Sequence, residues 1–238
     1  MKTPQFIFFV LFLLVFTSGI SQQYSENNSE TLKQQSTNIQ DFVTTAKKVP
    51  DNIKGTPFQN DDFQPGSILN DNQVLISSIV LRYNAFQDEF QIKKSVNESN
   101  DNIQALLKKT NVYIKVSNDI YAFKTPVPNE IAGGYYQILV EGNNLDLYKK
   151  NSKKYIEGAE SVNMMTGNHA SRLVDESFYF VVNSTGKFVE LPSSKNKKIE
   201  TIAGSQKNEL KKYIKSAKLN IKNEEDLIKA IEFFNSQS

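Results

Sequence analysis

The chain has 238 residues, with 28 Lys and Arg against 26 Asp and Glu and a formal charge of +2. Near-neutrality gives no electrostatic reason to expect nucleic acid as a partner, which takes a concentrated basic face. The lack of cysteine excludes disulfides, thiol nucleophiles, thiolate metal sites and a lipid-bearing cysteine.

Lys2 precedes an apolar run, Ile7 to Phe16, followed by the small and polar residues Thr17-Ser18-Gly19-Ile20-Ser21. That order predicts a signal peptide over 1–21, cleaved near Ser21. The run is too short for a membrane span, which takes roughly 20 residues. The expected product is exported, periplasmic or extracellular. It is expected not to be a lipoprotein and not to span the membrane once the signal is removed. Residues 22–36 hold only Tyr24 and Leu32 as large apolar groups, so a disordered tail is expected. Ile39, Phe42, Val43 and Ala46 fall on one helical face, which predicts a short helix over 37–50 closed by Pro50.

From about Gly55 to Leu191 the pattern alternates between apolar and polar residues, with Asn, Asp, Gly and Ser clusters between segments. Four hairpins are expected. In the first, Tyr83 opposes Asp88, Leu81 opposes Phe90 and Arg82 opposes Glu89, so apolar and charged pairs each coincide. In the second, the turn is Asn118-Asp119, with Val112, Ile114 and Val116 sharing a face with Tyr121 and Phe123. The third joins Tyr135–Glu141 to Leu145–Lys150 with a register open by one residue. The fourth joins Phe178–Val182 to Lys187–Leu191, and its first strand is apolar on both faces, predicting sheet on one side and helix on the other.

The C-terminal part predicts two helices in a pair over about 205–236. Ser205 is the expected cap of the first, with stripe Leu210, Tyr213, Ile214 and Ala217. Asn223 is the expected cap of the second, with Glu224, Glu225 and Asp226 in its first turn. A short connection at Lys218–Lys222 predicts antiparallel packing.

Few residue sets carry chemistry. His169 is the single histidine, so sites with two or three imidazoles on one metal are excluded, and without a Gly-x-Ser-x-Gly elbow a loop histidine is expected. Asp88-Glu89 would point to opposite faces of a strand and not converge on one bond. Asp61-Asp62, Asn70-Asp71-Asn72 and Asn100-Asp101-Asn102 lack the alternating ligands, glycine and closing Glu of a calcium loop and read as turns. The sequons at Asn27, Asn97 and Asn183 are expected by chance in a chain this rich in Asn and Ser, and Gly133-Gly134 reads as a bend. Between Lys195 and Lys222 nine lysines face two glutamates. Lys207, Lys211, Lys212, Lys215 and Lys218 are the candidate contact with an anionic surface. Arg is absent there and Tyr213 is the one aromatic, which argues against phosphate clamping or base stacking.

Three stretches, Thr56-Pro57-Phe58-Gln59-Asn60-Asp61-Asp62-Phe63-Gln64-Pro65-Gly66, Leu81 to Phe90, and the tail from Asn208 to Asn235, resemble a loosely defined group of uncharacterised secreted proteins of Bacteroidetes, of flavobacterial type. The resemblance implies a Gram-negative envelope setting and brings no activity, cofactor or catalytic residue. The expected fold is mainly β: one domain over 55–236, an antiparallel meander of eight to ten strands forming an open barrel or sandwich, with a C-terminal antiparallel helical hairpin. The expected function is a non-enzymatic binding or accessory module of the envelope, without catalytic residues, cofactor or metal. Its partner would be an anionic envelope component. The alternative is a carboxylate-dependent hydrolase with its site in a barrel mouth. An outer-membrane barrel fits poorly with short strands and a helical end.

Overall fold

A computed structural model describes residues 38–48, 53–70, 73–126, 131–158 and 170–237. The expected signal, the 22–36 tail, Pro50, Asp71, Asn72, His169 and the sequon at Asn27 lie outside the described residues.

The strands are β1 (Val43–Thr45), β2 (Gln64–Asn70), β3 (Gln73–Asn84), β4 (Glu89–Lys93), β5 (Gln104–Leu106), β6 (Tyr113–Val116), β7 (Asp119–Lys124), β8 (Gly134–Val140), β9 (Leu145–Ile156), β10 (Arg172–Asn183) and β11 (Phe188–Glu190). They form one antiparallel sheet in the order β1-β5-β4-β3-β2-β6-β7-β8-β9-β10-β11, which does not close. Both edge strands are only three residues long, which limits the unpaired backbone offered to another chain.

Side chains that would stand far apart on a flat sheet meet. Phe90 of β4, Tyr83 of β3, Tyr121 of β7 and Tyr135 of β8 form one aromatic group, with Phe90 4.9 Å from Tyr135 between ring centres. β3 and β8 are separated by β2, β6 and β7. Four strand spacings on a flat sheet would put them about 19 Å apart. The first half of the sheet is therefore curled around a core of Ile68, Leu81, Phe90, Ile92, Leu106 and Ile114, with Val112, Val116 and Phe123 alongside.

Leu81 and Phe90 are both fully buried in this core, as expected, but they are not opposite each other. The register is Tyr83 with Phe90, Arg82 with Gln91 and Leu81 with Ile92. The turn sits one residue later than expected, on Ala85–Asp88, because the Asn84 side chain accepts from the Gln87 N–H at 3.0 Å and Asp88 adopts φ 53°. The second hairpin slips the other way: its turn is Ser117-Asn118, and Ile114 opposes Tyr121. In both hairpins each strand moves by one residue, so partners change while faces do not. The third hairpin contains an irregularity between Ile138 and Val140, which accounts for a register that alternation left open. The fourth turn lies where expected, with the Gly186 N–H donating to the Asn183 carbonyl at 2.8 Å.

Both faces of β10 are covered as its apolar run demands, but no second sheet does it. Tyr179 and Val181 face the helices. Phe180 and Val182 join Tyr136, Tyr148 and Phe188 in an aromatic layer on the other side. Lys150 stands 5.2 Å from the Tyr136 ring centre and Lys124 5.3 Å from that of Tyr148, stems covering ring faces.

The expected helix over 37–50 is replaced by a 3-10 turn, Ile39–Phe42, and strand β1. The run Val43-Thr44-Thr45 is β-branched and pairs with β5, which supplies hydrogen bonds that an isolated helix lacks. The helical end also differs, with three helices in place of a pair: α1 (Lys195–Ala203), α2 (Lys207–Ser216) and α3 (Glu224–Asn235). Lysines at 195, 197 and 198 hid α1, whose Ile199, Ile202 and Ala203 are buried. Ser205 lies in a 3-10 turn and caps nothing. Asn223 caps α3 as expected, accepting from the Glu225 N–H at 2.8 Å. Leu210 and Ile214 of α2 and Leu227, Ala230 and Ile231 of α3 form one buried cluster with Leu145, Leu147 and Val181 of the sheet, whereas Ala217 is exposed.

Asn235 fixes α3 to the β8–β9 turn. Its amide oxygen accepts from Leu145 N–H at 2.9 Å and its nitrogen donates to the Leu145 carbonyl at 2.9 Å. A Cβ on Gly142 would fall 1.9 Å from that nitrogen, so the turn needs glycine for space. Gly142→Ala should therefore destabilise the fold by about 1–3 kcal/mol through overpacking. Urea unfolding checks this, and Gly186→Ala, at φ 76° with open space around it, should cost less.

Candidate functional site

Three places gather polar side chains. The first is built on Asp88, whose carboxylate accepts from four parts of the chain. Oδ1 takes the Tyr83 hydroxyl at 2.7 Å, the Tyr135 N–H at 3.0 Å and the Lys150 ammonium at 2.5 Å. Oδ2 takes the Lys108 ammonium at 2.7 Å. Lys150 reaches Asp88 only because Gly134 has no side chain, since a Cβ there would lie 2.1 Å from its Nζ. The Asp88 side chain is 20% exposed and that of Lys150 16%. Burial works to raise the Asp88 carboxyl, but the Lys150 charge and the bonds from Lys108, Lys150 and Tyr83 outweigh it and hold it below the ordinary carboxylate value. Burial pushes the Lys150 ammonium down, against the attraction of Asp88. Burial, then the Asp88 charge, raises the Tyr83 phenol well above its ordinary value. A carboxylate has about four acceptor positions. Three donors converge on Oδ1 and one on Oδ2, so Asp88 acts as a tie between four parts of the chain.

Glu89 is 6% exposed and accepts from the Lys47 N–H at 3.2 Å. Burial raises its carboxyl above the ordinary value. Its expected partner Arg82 is elsewhere. Arg82 donates to the Asp61 carbonyl at 2.9 Å and to Gln91 at 2.7 Å, with its guanidinium 3.5 Å from the Phe58 ring centre and 4.4 Å from that of Phe63.

The second place is a cavity of about 230 Å³ beside Arg82, lined among others by Gln64, Tyr121, Asp62 and Asp119. Both carboxylates are exposed. The rest of the curl is filled by Phe90, Tyr83, Tyr135, Leu81 and their neighbours.

The third is a groove of about 680 Å³ where β10, the end of β11, α1 and the α2–α3 connection meet. Tyr179 is its aromatic side chain on the helix face, with the Lys198 ammonium 5.9 Å from its ring centre, and Lys222 supplies a second cation, while Phe178 borders the groove from the other face of β10. Lys198 is 7% exposed and donates to the Ile221 carbonyl at 3.2 Å. Burial, then the Lys222 charge, lowers its ammonium.

The candidate lysines of α2 do not line this groove. Lys211, Lys212, Lys215 and Lys218 are exposed, away from buried Leu210 and Ile214, while Lys207 is half-buried and pairs with Glu200 at 3.1 Å. Sequence reading counted Lys198 and Lys222 with the basic stretch and gave them no separate place. An isoleucine-rich pattern around 199–202 was the available sign that Lys198 begins a packed helix.

Among the described residues no group of three or more His, Cys, Asp or Glu is disposed to hold a metal, and no helix is long and apolar enough to cross a membrane. Asn100–Asn102 is a 3-10 turn capped by Ser99, whose hydroxyl accepts from the Asp101 N–H at 3.2 Å. Asp61 accepts from the Thr56 hydroxyl, and Asn60 accepts from the Asp62 N–H at 3.0 Å. No family model, no curated protein and no solved structure matches the chain.

Removing the Asp88 carboxylate leaves two ammonium groups, one of them largely buried, without their anion. Asp88→Ala should cost about 3 kcal/mol, the lower end for a broken buried pair given the residual exposure. The Asp88 carboxyl has a folded pKa below its unfolded one. Its contribution is complete above about pH 4 and is lost as pH falls through the folded value. Urea midpoints measured down to about pH 2 should fall less steeply in Asp88→Asn than in the wild type.

Proposed function

We propose that this chain is an exported binding or accessory module of a bacterial cell envelope, periplasmic or extracellular once a signal over 1–21 is cleaved. Its contact with an anionic polysaccharide is made by the lysine face of α2. The observation that carries this reading is the arrangement of α2 itself. Its apolar stripe is spent in the cluster that the helices form with the sheet, and Lys211, Lys212 and Lys215, with Lys218 just past its end, are left in solvent. None of those four has a carboxylate within salt-bridge distance among the described residues. A cluster of unpaired ammonium groups on a rigid helix attracts a polyanion in a salt-dependent way. A setting among secreted flavobacterial proteins, expected from the resemblance over most of residues 55–236, belongs to the same proposal.

The hydrolase reading has its place at the smaller cavity, where Asp62 and Asp119 are the two carboxylates. Its weakness is that both are exposed and solvated, whereas a general acid in such an enzyme needs an environment that raises its pKa.

Retention on heparin-agarose tests the lysine face. The wild type should elute at clearly higher salt than a Lys211→Glu, Lys212→Glu, Lys215→Glu variant, at about 1 kcal/mol for each charge near a strongly anionic surface. Equal elution of the two proteins removes that face as the contact.

A further inference from the structure

Strand β10 is twelve residues long, and β9 pairs with all of them. On its other side β11 covers only Phe180–Val182, with one further bond from the Leu191 N–H to the Tyr179 carbonyl at 2.7 Å. The far end is met by Lys54, whose carbonyl accepts from the Leu173 N–H at 2.9 Å. Between these points residues 174–178 have an uncovered side, about 17 Å of strand. Backbone groups alternate in direction along a strand. Leu173 and Tyr179 turn theirs to this side, so Asp175 and Ser177 do as well. Among the described residues neither makes a backbone hydrogen bond there. Asp175, Ser177 and Phe178 are exposed. Unpaired donors and acceptors in a row form a template for another strand. The shortness of β11 limits its own edge but leaves that of β10 open.

The groove of about 680 Å³ lies along this side, starting where β11 ends at Glu190 and Leu191. On the helix side of β10 it holds Ser177 and Tyr179 together with Lys198 and Lys222. Neither lysine has a carboxylate within salt-bridge distance among the described residues. The Lys198 ammonium has three donors and one carbonyl partner, Ile221. Asp175 points to the same face as Ser177, with its side chain 76% exposed beside Lys153 at 2.6 Å. On the opposite face Phe178 leaves 37% of its surface in solvent. The helix side is therefore positive next to Ser177 and negative at Asp175, and the other side is apolar.

A second copy of the chain does not fit this edge. Two-fold antiparallel pairing through Asp175 and Ser177 has three registers. One sets Asp175 against Asp175 and the next sets Glu176 against Glu176, and like charges directly opposite are destabilising. The third sets Asp175 against Tyr179, whose carbonyl already accepts from Leu191.

We infer that residues 174–178 of β10 take up an extended segment of a partner protein as an added antiparallel strand, in line with β11. Main-chain bonds to Asp175 and Ser177 hold it, and alternate side chains select it. An acidic residue of the segment lies opposite Ser177, near Lys198 and Lys222. A basic residue two positions on faces Asp175, and the residues flanking the acid are apolar, one of them against Phe178. This surface is separate from the lysine face of α2 and does not rest on it.

Hydrogen exchange followed by two-dimensional NMR on the full chain is the test. In the free chain the Asp175 and Ser177 amides should exchange fast, while those of Glu176 and Phe178, bonded to β9, are protected. The capped peptide Thr-Val-Glu-Val-Lys-Val-Thr should bind and slow the Asp175 and Ser177 amides about tenfold or more. Interchanging its Glu and Lys should weaken binding about tenfold, and so should Lys222→Glu, an exposed position, in the protein. N-methylation of the peptide's Glu and Lys removes the donors that face β10 and should abolish binding. The Lys211→Glu, Lys212→Glu, Lys215→Glu variant should bind the peptide like the wild type, so the α2 contact and this edge are read separately. No binding, equal binding of the two peptide orders, unchanged binding in Lys222→Glu, or binding that survives N-methylation each overturns the inference. Protection of Asp175 and Ser177 that grows with protein concentration in the free chain also overturns it, by putting a second copy on the edge.

Discussion

The Asp88 carboxylate, reached by donors from β3, the β5–β6 connection, β8 and β9, ties together parts of the sheet that a flat arrangement would keep well apart. The tie forms in the half of the molecule where disulfides are excluded by composition. Its neighbours show why it is tolerated. Tyr83 and Tyr135 give the carboxylate hydrogen bonds while their rings pack on Phe90, so the polar centre and the aromatic core are parts of one assembly. The Tyr83 hydroxyl also lies 3.4 Å from the Asn151 carbonyl of β9, a second link across the same curl. Burial of ions is costly, and it is sustained here because two ammonium groups, a hydroxyl and a backbone N–H all donate to the carboxylate.

The two ends of the sheet then solve different problems. The β1–β5 edge and the β6–β8 strands bury one another inside the curl. The β8–β11 end is flatter in its demands: its inner strands are apolar on both faces, so one side takes three helices and the other an aromatic layer capped by lysine stems. The junction of sheet and helices leaves the large groove, and the outer side of α2 leaves its lysines in solvent. Positive charge is thus concentrated at the helical end, although the chain as a whole is nearly neutral.

Much of the strand pattern was legible because alternation has a period that burial enforces. The faces of Leu81, Phe90, Ile114 and Tyr121 were readable, and an error of one residue in each strand of a hairpin did not disturb them. The exact partners were not readable. They turned on the Asn84 side chain closing its own turn and on Asp88 and Ser117 accepting positive φ. The segment at 39–45 was misread because its apolar spacing suits a helix, while its β-branched residues and the waiting edge of β5 favour a strand. Helix α1 was concealed by lysines that belong to its exposed side and by Lys198, which is buried.

Local chemistry in the chain was enough to specify strand faces, the Asn223 cap and a lysine-rich helix with an apolar stripe, since each depends on neighbours within a few residues. Meetings between residues distant in sequence depended on the curl and on helix docking: Asp88 with Lys150, Asn235 with the turn at Gly142, and Lys198 with Ile221 beside Tyr179. Such contacts are set by how a half-buried surface closes on itself, which no window of sequence contains.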